Sequence, residues 1–144
     1  MTKKQRKYQV TLTETQLDAV QRGLEFYSRI AMGQFREISD KWMYGFDWPH
    51  EQTDYERETL HRLGHKFVDL PPNAYRGIAQ CPDVVCTAHD VYQVIRHRLS
   101  WDHEPKGGHT VNFNEPLKCG PQPLCKIRLQ PFGRPKRVDK KVKK

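Results

Sequence analysis

No stretch of this 144-residue chain comes near the roughly 18 consecutive apolar residues of a membrane-spanning helix, so no membrane partner is expected. The start, "MTKKQRKYQV", is basic but lacks the apolar segment of a secretory leader, which points to the cytoplasm. Also missing are a glycine-rich phosphate loop of the Walker type, a nucleophile elbow and a dinucleotide-binding fingerprint. "HRLGH" (61–65) has the His-x-x-x-His spacing of a helical metal site but not the glutamate of His-Glu-x-x-His, and Gly64 weakens a helix there. The four cysteines fall in two loose pairs, Cys81/Cys86 and Cys119/Cys125. Four and five residues intervene, where zinc sites favour two to four with a tight turn. Cys86 also falls inside a predicted helix. No metal ligand, cofactor or catalytic residue is therefore assigned, and a protein without enzymatic activity is expected. A metal-dependent nucleotide hydrolase using His61, His65 and the cysteines is the weakest of three readings.

What is present in excess is positive charge, a net of +8. It is not spread evenly. Lys3, Lys4, Arg6 and Lys7 give residues 1–7 a net of +4, and "RPKRVDKKVKK" (134–144) carries +6. Residues 8–133 hold fourteen basic and sixteen acidic residues, a net of −2. The chain divides on this ground into a basic arm (1–7), one ligand-binding domain (8–133) and a basic tail (134–144) expected to be disordered. Tails of this kind lend non-specific attraction to nucleic acid.

Along the body, "KYQVTL" (7–12) alternates like a short strand and meets "TETQ", a capping box with Thr13 as N-cap. A long helix over about 14–39 follows. "WMYGFDWPHEQT" (42–53) reads as a loop, and a second helix over about 54–68 turns Leu60, Leu63 and Phe67 inward. Pro82 opens a third helix through about Trp101, with Val84, Ala88, Val91, Ile95 and Leu99 on its buried side. "GGHTVNFNEP" and "PLCKIRLQP" then read as two strands bracketed by Gly and Pro. The expected fold is α+β: three helices, one long and N-terminal, with a small antiparallel sheet.

Three constellations bear on function. On the first helix Leu17, Val20, Leu24, Tyr27, Ala31, Phe35 and Ile38 form the core stripe, while Arg22, Phe26, Arg29, Gly33 and Arg36 share another face. A solvated face needs no aromatic, so Phe26, Gly33 and Arg36 are candidates for an oligomer interface, with Arg29 reaching a phosphate across it. At the end of the third helix Trp101 has His97 and Arg98 as helical neighbours, which suits base stacking beside a phosphate contact. In the strands Thr110, Asn112 and Asn114 share one face and Lys126, Arg128 and Gln130 another, setting an amide row beside a cationic one.

"LTETQLDAVQRGLEFYSRIAMGQFREI", "DVYQVIRHRLSWD" and "GGHTVNFNEP" together resemble small phage and prophage proteins, specifically the Thoeris anti-defence family of cyclic-nucleotide sponges. The resemblance covers about residues 9–130. It implies a homo-oligomer in the host cytoplasm that binds a cyclic ADP-ribose-type immune signal, or another cyclic nucleotide, without cleaving it. On that reading Arg29 helps to close a pyrophosphate pocket across subunits, Trp101 stacks a base, Asn112 bonds a base or ribose, and Arg128 grips phosphate. The alternative is a phage nucleic-acid-binding or regulatory protein that uses its basic tails. The absence of a helix-turn-helix or recognised zinc motif counts against a sequence-specific reader.

Overall fold

The structure, a computed structural model, describes residues 6–38 and 54–130. The aromatic loop expected at 42–53, the tail at 134–144 and most of the arm at 1–7 lie outside the described residues. Among the described residues the fold is carried by α1 (Glu14–Ala31), α2 (Asp54–Phe67) and α3 (Asp83–His103), and residues 36–38 are again helical. Single 3-10 turns occur at Ile78–Gln80 and Val111–Phe113.

The α1 start matches the sequence reading. Gln16 N–H donates to Thr13 Oγ1 (3.3 Å), and Thr13 N–H donates to Gln16 Oε1 (2.9 Å). Its end does not. The helix expected to reach residue 39 stops at Ala31, because Gly33 adopts φ +89° and reverses the chain. Gly33 N–H donates to Ile30 O (3.0 Å) and Gln34 N–H to Arg29 O (2.9 Å), the two bonds of a Schellman stop. A Cβ at Gly33 would also lie 2.7 Å from Leu70 Cδ1, so its close approach is to this chain's own residues. At the end of α2, Leu70 N–H donates to His65 O (3.0 Å) and Asp69 takes the left-handed position with φ +53°.

The small antiparallel sheet is overturned: among the described residues there is no strand, and the described fold is helical. Residues 7–12, expected as a strand, are exposed and form no regular element. Where the strand 107–116 was expected, Phe113 N–H donates to Thr110 O (3.2 Å) and Asn114 N–H to Val111 O (3.2 Å), so the backbone satisfies itself locally. Of the second expected strand (123–131), the described residues 123–130 form no regular element, and 125–128 lie across from α3 instead of in a ladder. Pro116, Pro121 and Pro123 remove donors that a ladder would need. The alternation that reads as strand therefore belongs to an irregular segment whose residues 125–128 face a helix.

α1 and α3 pack antiparallel. His103 Nε2 lies 2.6 Å from Glu14 Oε1 at one end, and Ala31 and Met32 pack on Cys81, Val85 and Cys86 at the other. The buried faces are more polar than the periodicity implied. α1 buries Ser28 most completely, α2 buries His61, Gly64 and His65, and α3 buries His89, Asp90 and Gln93 beside Val85, Cys86, Ile95 and Leu99. Leu63 and Phe67, expected inward, are exposed, as is Val84. Gly64 explains the rotation of α2. The Phe35 ring lies where a Gly64 Cβ would be, 2.2 Å from its Cγ, so the glycine face is the packed face and brings His61 and His65 with it.

Candidate functional site

α3 carries Val94, His97, Arg98 and Trp101 at spacings of three, one and three, which places them on one side over two turns. Cys125, Lys126, Ile127 and Arg128 lie across from them, and together they line an open groove of about 400 Å³. That size falls within the range of small-molecule sites.

Trp101 is the best-defined feature of the groove. Its indole is 40% exposed, yet it is held on several sides. Nε1–H donates to His97 Nε2 (3.1 Å), which requires a neutral His97. The Phe113 ring meets it edge-on, with centroids 5.4 Å apart at 87°. Gly107, at φ +79°, brings backbone against the far edge of the ring, where a Cβ would be 3.0 Å from Cη2. A Cβ at Gly108 would be 2.5 Å from Phe113 Cε2. The pair Gly107–Gly108 thus closes the chain against both rings, fixing an aromatic that still meets solvent.

The cations differ in availability. Arg98 makes a bidentate pair with Asp102, at 2.7 and 2.6 Å, so its charge is answered within the helix. Lys126 and Arg128 are exposed and, among the described residues, have no ion-pair partner. Burial pushes the Cys125 thiol up, away from thiolate, so it offers an apolar contact rather than an activated nucleophile. An aromatic platform beside two unpaired cations suits a flat, anionic ligand.

The structure therefore brings Arg98, Trp101 and Arg128 together and leaves Asn112 and Arg29 elsewhere. Asn112 is exposed on the 3-10 turn, next to Phe113 but not lining the groove. Arg29 donates to Glu25 (2.8 Å), Gln34 (2.9 Å) and Glu37 (3.3 Å), bracing the stop of α1. It lies near Tyr92, which is about two and a half turns of α3 before Trp101 and on the opposite side of the helix. Phe26 is half-buried on α1, Gly33 is buried in the helix stop, and exposed Arg36 pairs with Glu58 at 3.5 Å. Sequence reasoning missed Gly107 and Phe113 as supports of the indole. A glycine pair just beyond a helix that ends in Trp was the available clue.

A second cluster is the His61–His65 pair, with ring centroids 4.4 Å apart. His61 Nε2 lies 3.3 Å from Asn73 Oδ1, while His61 Nδ1 and both His65 nitrogens are buried without partners. Burial first, and His61 second, hold His65 below the usual imidazole range. Among the described residues no third His, Cys or carboxylate completes a metal set there. No protein-family model, curated protein or solved structure matches the chain.

Proposed function

We propose that this protein binds a nucleotide-type ligand in the Trp101 groove and holds it without cleaving it, as an anti-defence sponge for a cyclic ADP-ribose-type signal or another cyclic nucleotide. The observation that carries the reading is the braced but exposed indole of Trp101 facing the unpaired cations Lys126 and Arg128. A base stacks on the indole, and phosphate oxygens meet Arg128 and Lys126. Arg98, neutralised by Asp102, shapes the wall more than it supplies charge. The resemblance to the Thoeris anti-defence family supplies the phage setting, the host cytoplasm and the expectation of a homo-oligomer. For the oligomer, exposed Val20 and Tyr27 on α1 offer a second copy more apolar surface than Gly33 does. No helix among the described residues is long and apolar enough to cross a membrane.

The second reading, a nucleic-acid-binding protein, is favoured by the +6 segment at 134–144. The third, a metal-dependent nucleotide hydrolase, is favoured by the buried His61–His65 pair. One experiment separates the three. Protein incubated with cyclic ADP-ribose isomers and cyclic dinucleotides is desalted, denatured and its released ligand analysed by mass spectrometry. A sponge returns the ligand intact, a hydrolase returns products, and a nucleic-acid binder retains none.

A further inference from the structure

Away from the groove, on the buried side of α3, three chemically different side chains converge. The His89 imidazole, the Asp90 carboxylate and the Cys119 thiol each present a ligand atom, and these atoms all lie within 4.8 Å of one another. His89 and Asp90 are at least nine-tenths buried, and Cys119 is half-buried. The geometry points to a binding site for a divalent transition metal, Zn²⁺ by its ligand types, formed by His89, Asp90 and Cys119.

Each ligand is prepared for this in its own way. His89 Nδ1 is buried without a hydrogen-bond partner, and its Nε2 faces only the Gln93 amide nitrogen at 3.3 Å. Asp90 is fixed by accepting from the backbone N–H of Cys119 (2.7 Å) and of Gly120 (2.8 Å). Each oxygen keeps a lone pair. Among the described residues this buried carboxylate has no ion-pair partner, an expensive arrangement that a dication would relieve. The other two thiols packed nearby are differently engaged: Cys86 Sγ donates to Ile78 O (3.1 Å) and Cys81 Sγ to Gly77 O (3.8 Å).

The mixed nitrogen, oxygen and sulfur set matches zinc rather than magnesium or calcium. Tetrahedral zinc holds its ligand atoms roughly 3.5 Å apart, so the cluster closes by small rotamer changes. When the metal–sulfur bond forms, the Cys119 proton leaves to solvent. The dication is then balanced by one carboxylate and one thiolate, with a neutral imidazole. Three protein ligands leave a fourth position for water. The metal ties α3 to residues 119–120, from which the chain runs directly into the groove wall at 125–128. This site does not rest on the nucleotide reading.

The test uses the full chain, stripped with chelator, and Co²⁺ or Zn²⁺ alone as probe. One equivalent of Co²⁺ is expected to bind with a thiolate-to-cobalt charge-transfer band and intense tetrahedral visible bands. Cys119→Ser abolishes the thiolate band and weakens binding at least tenfold, whereas Cys125→Ser changes neither. In the wild type, Zn²⁺ slows alkylation of Cys119 but not of Cys125, a readout independent of whether any variant folds. A spectrum without the thiolate band, a band that survives Cys119→Ser, or an alkylation rate at Cys119 that Zn²⁺ leaves unchanged overturns the site.

Discussion

The two ends of α3 are built to opposite purposes. Near its start, Val85, Cys86, His89 and Asp90 are buried, and Asp90 is tied to the backbone of Cys119 and Gly120. Near its end, Trp101 is braced yet exposed, and Arg98 and Asp102 pair at the surface. At the first end the Asp90 carboxylate holds backbone amides inside the chain, and its loss harms folding. At the second, aromatic surface and the charges of Lys126 and Arg128 are left over, and under the proposed function their loss harms binding. A polar residue in this protein is informative only when its partner is known.

The contrast makes graded expectations. Asp90→Ala has the largest effect on stability, about 3 kcal/mol, because two buried amides lose a charged acceptor. Denaturant titration reads it as a lower midpoint, and an unchanged midpoint would remove Asp90 as the tie. Gly120→Ala comes next, at about 1–2 kcal/mol. Its Cβ would sit 3.1 Å from both Asp90 Oδ2 and Thr87 N, with backbone on one side that cannot yield.

Acid provides a third probe, and it places the His61–His65 pair with the buried end. The folded His65 resists protonation, being held below its usual value of 6.5 by burial and by His61. The unfolded chain binds that proton at the ordinary value, so stability is complete above about pH 6.5 and falls as pH drops below it. Thermal unfolding followed from about pH 7.5 to pH 5.5 shows a declining Tm, and His65→Leu flattens that decline. An equal slope in the variant would assign the acid sensitivity elsewhere. The smallest effect on stability belongs to the open end: Arg128→Ala stays within about 0.5 kcal/mol of wild type, as a surface residue without a partner should. A larger loss would mean that Arg128 holds the fold.

Local chemistry made part of this legible. Thr13 and Gln16 announced the start of α1, and Pro82 the start of α3, because capping and helix initiation depend on neighbours in sequence. Gly33 was equally local but was taken as a gap for another surface, when a glycine just past a helical run is first a stop. The faces of α2 were misjudged for a different reason. Leu63 and Phe67 are the more apolar residues, but the Phe35 ring needs the bare backbone of Gly64, and one such contact outweighs a modest apolar stripe. Alternation at 107–116 and 122–130 could not reveal whether the neighbour would be a strand or α3. Within the candidate site, Trp101 and Arg98 were visible from helical spacing and Arg128 from its alternation with Lys126 and Gln130. Their meeting across the groove is tertiary, as is the approach of Cys119 to His89 and Asp90 some thirty residues away.

The most direct measurement of the central claim is calorimetric titration of wild type, Trp101→Ala and Arg128→Ala with a panel of cyclic ADP-ribose isomers and cyclic dinucleotides. The account predicts that wild type binds a member of the panel. Trp101→Ala removes stacking worth roughly 1–3 kcal/mol and weakens binding about ten- to a hundredfold. Arg128→Ala weakens it at least as much by removing a charge-assisted phosphate contact. A wild type that binds no member, or two variants that bind as wild type does, would contradict a nucleotide site in this groove.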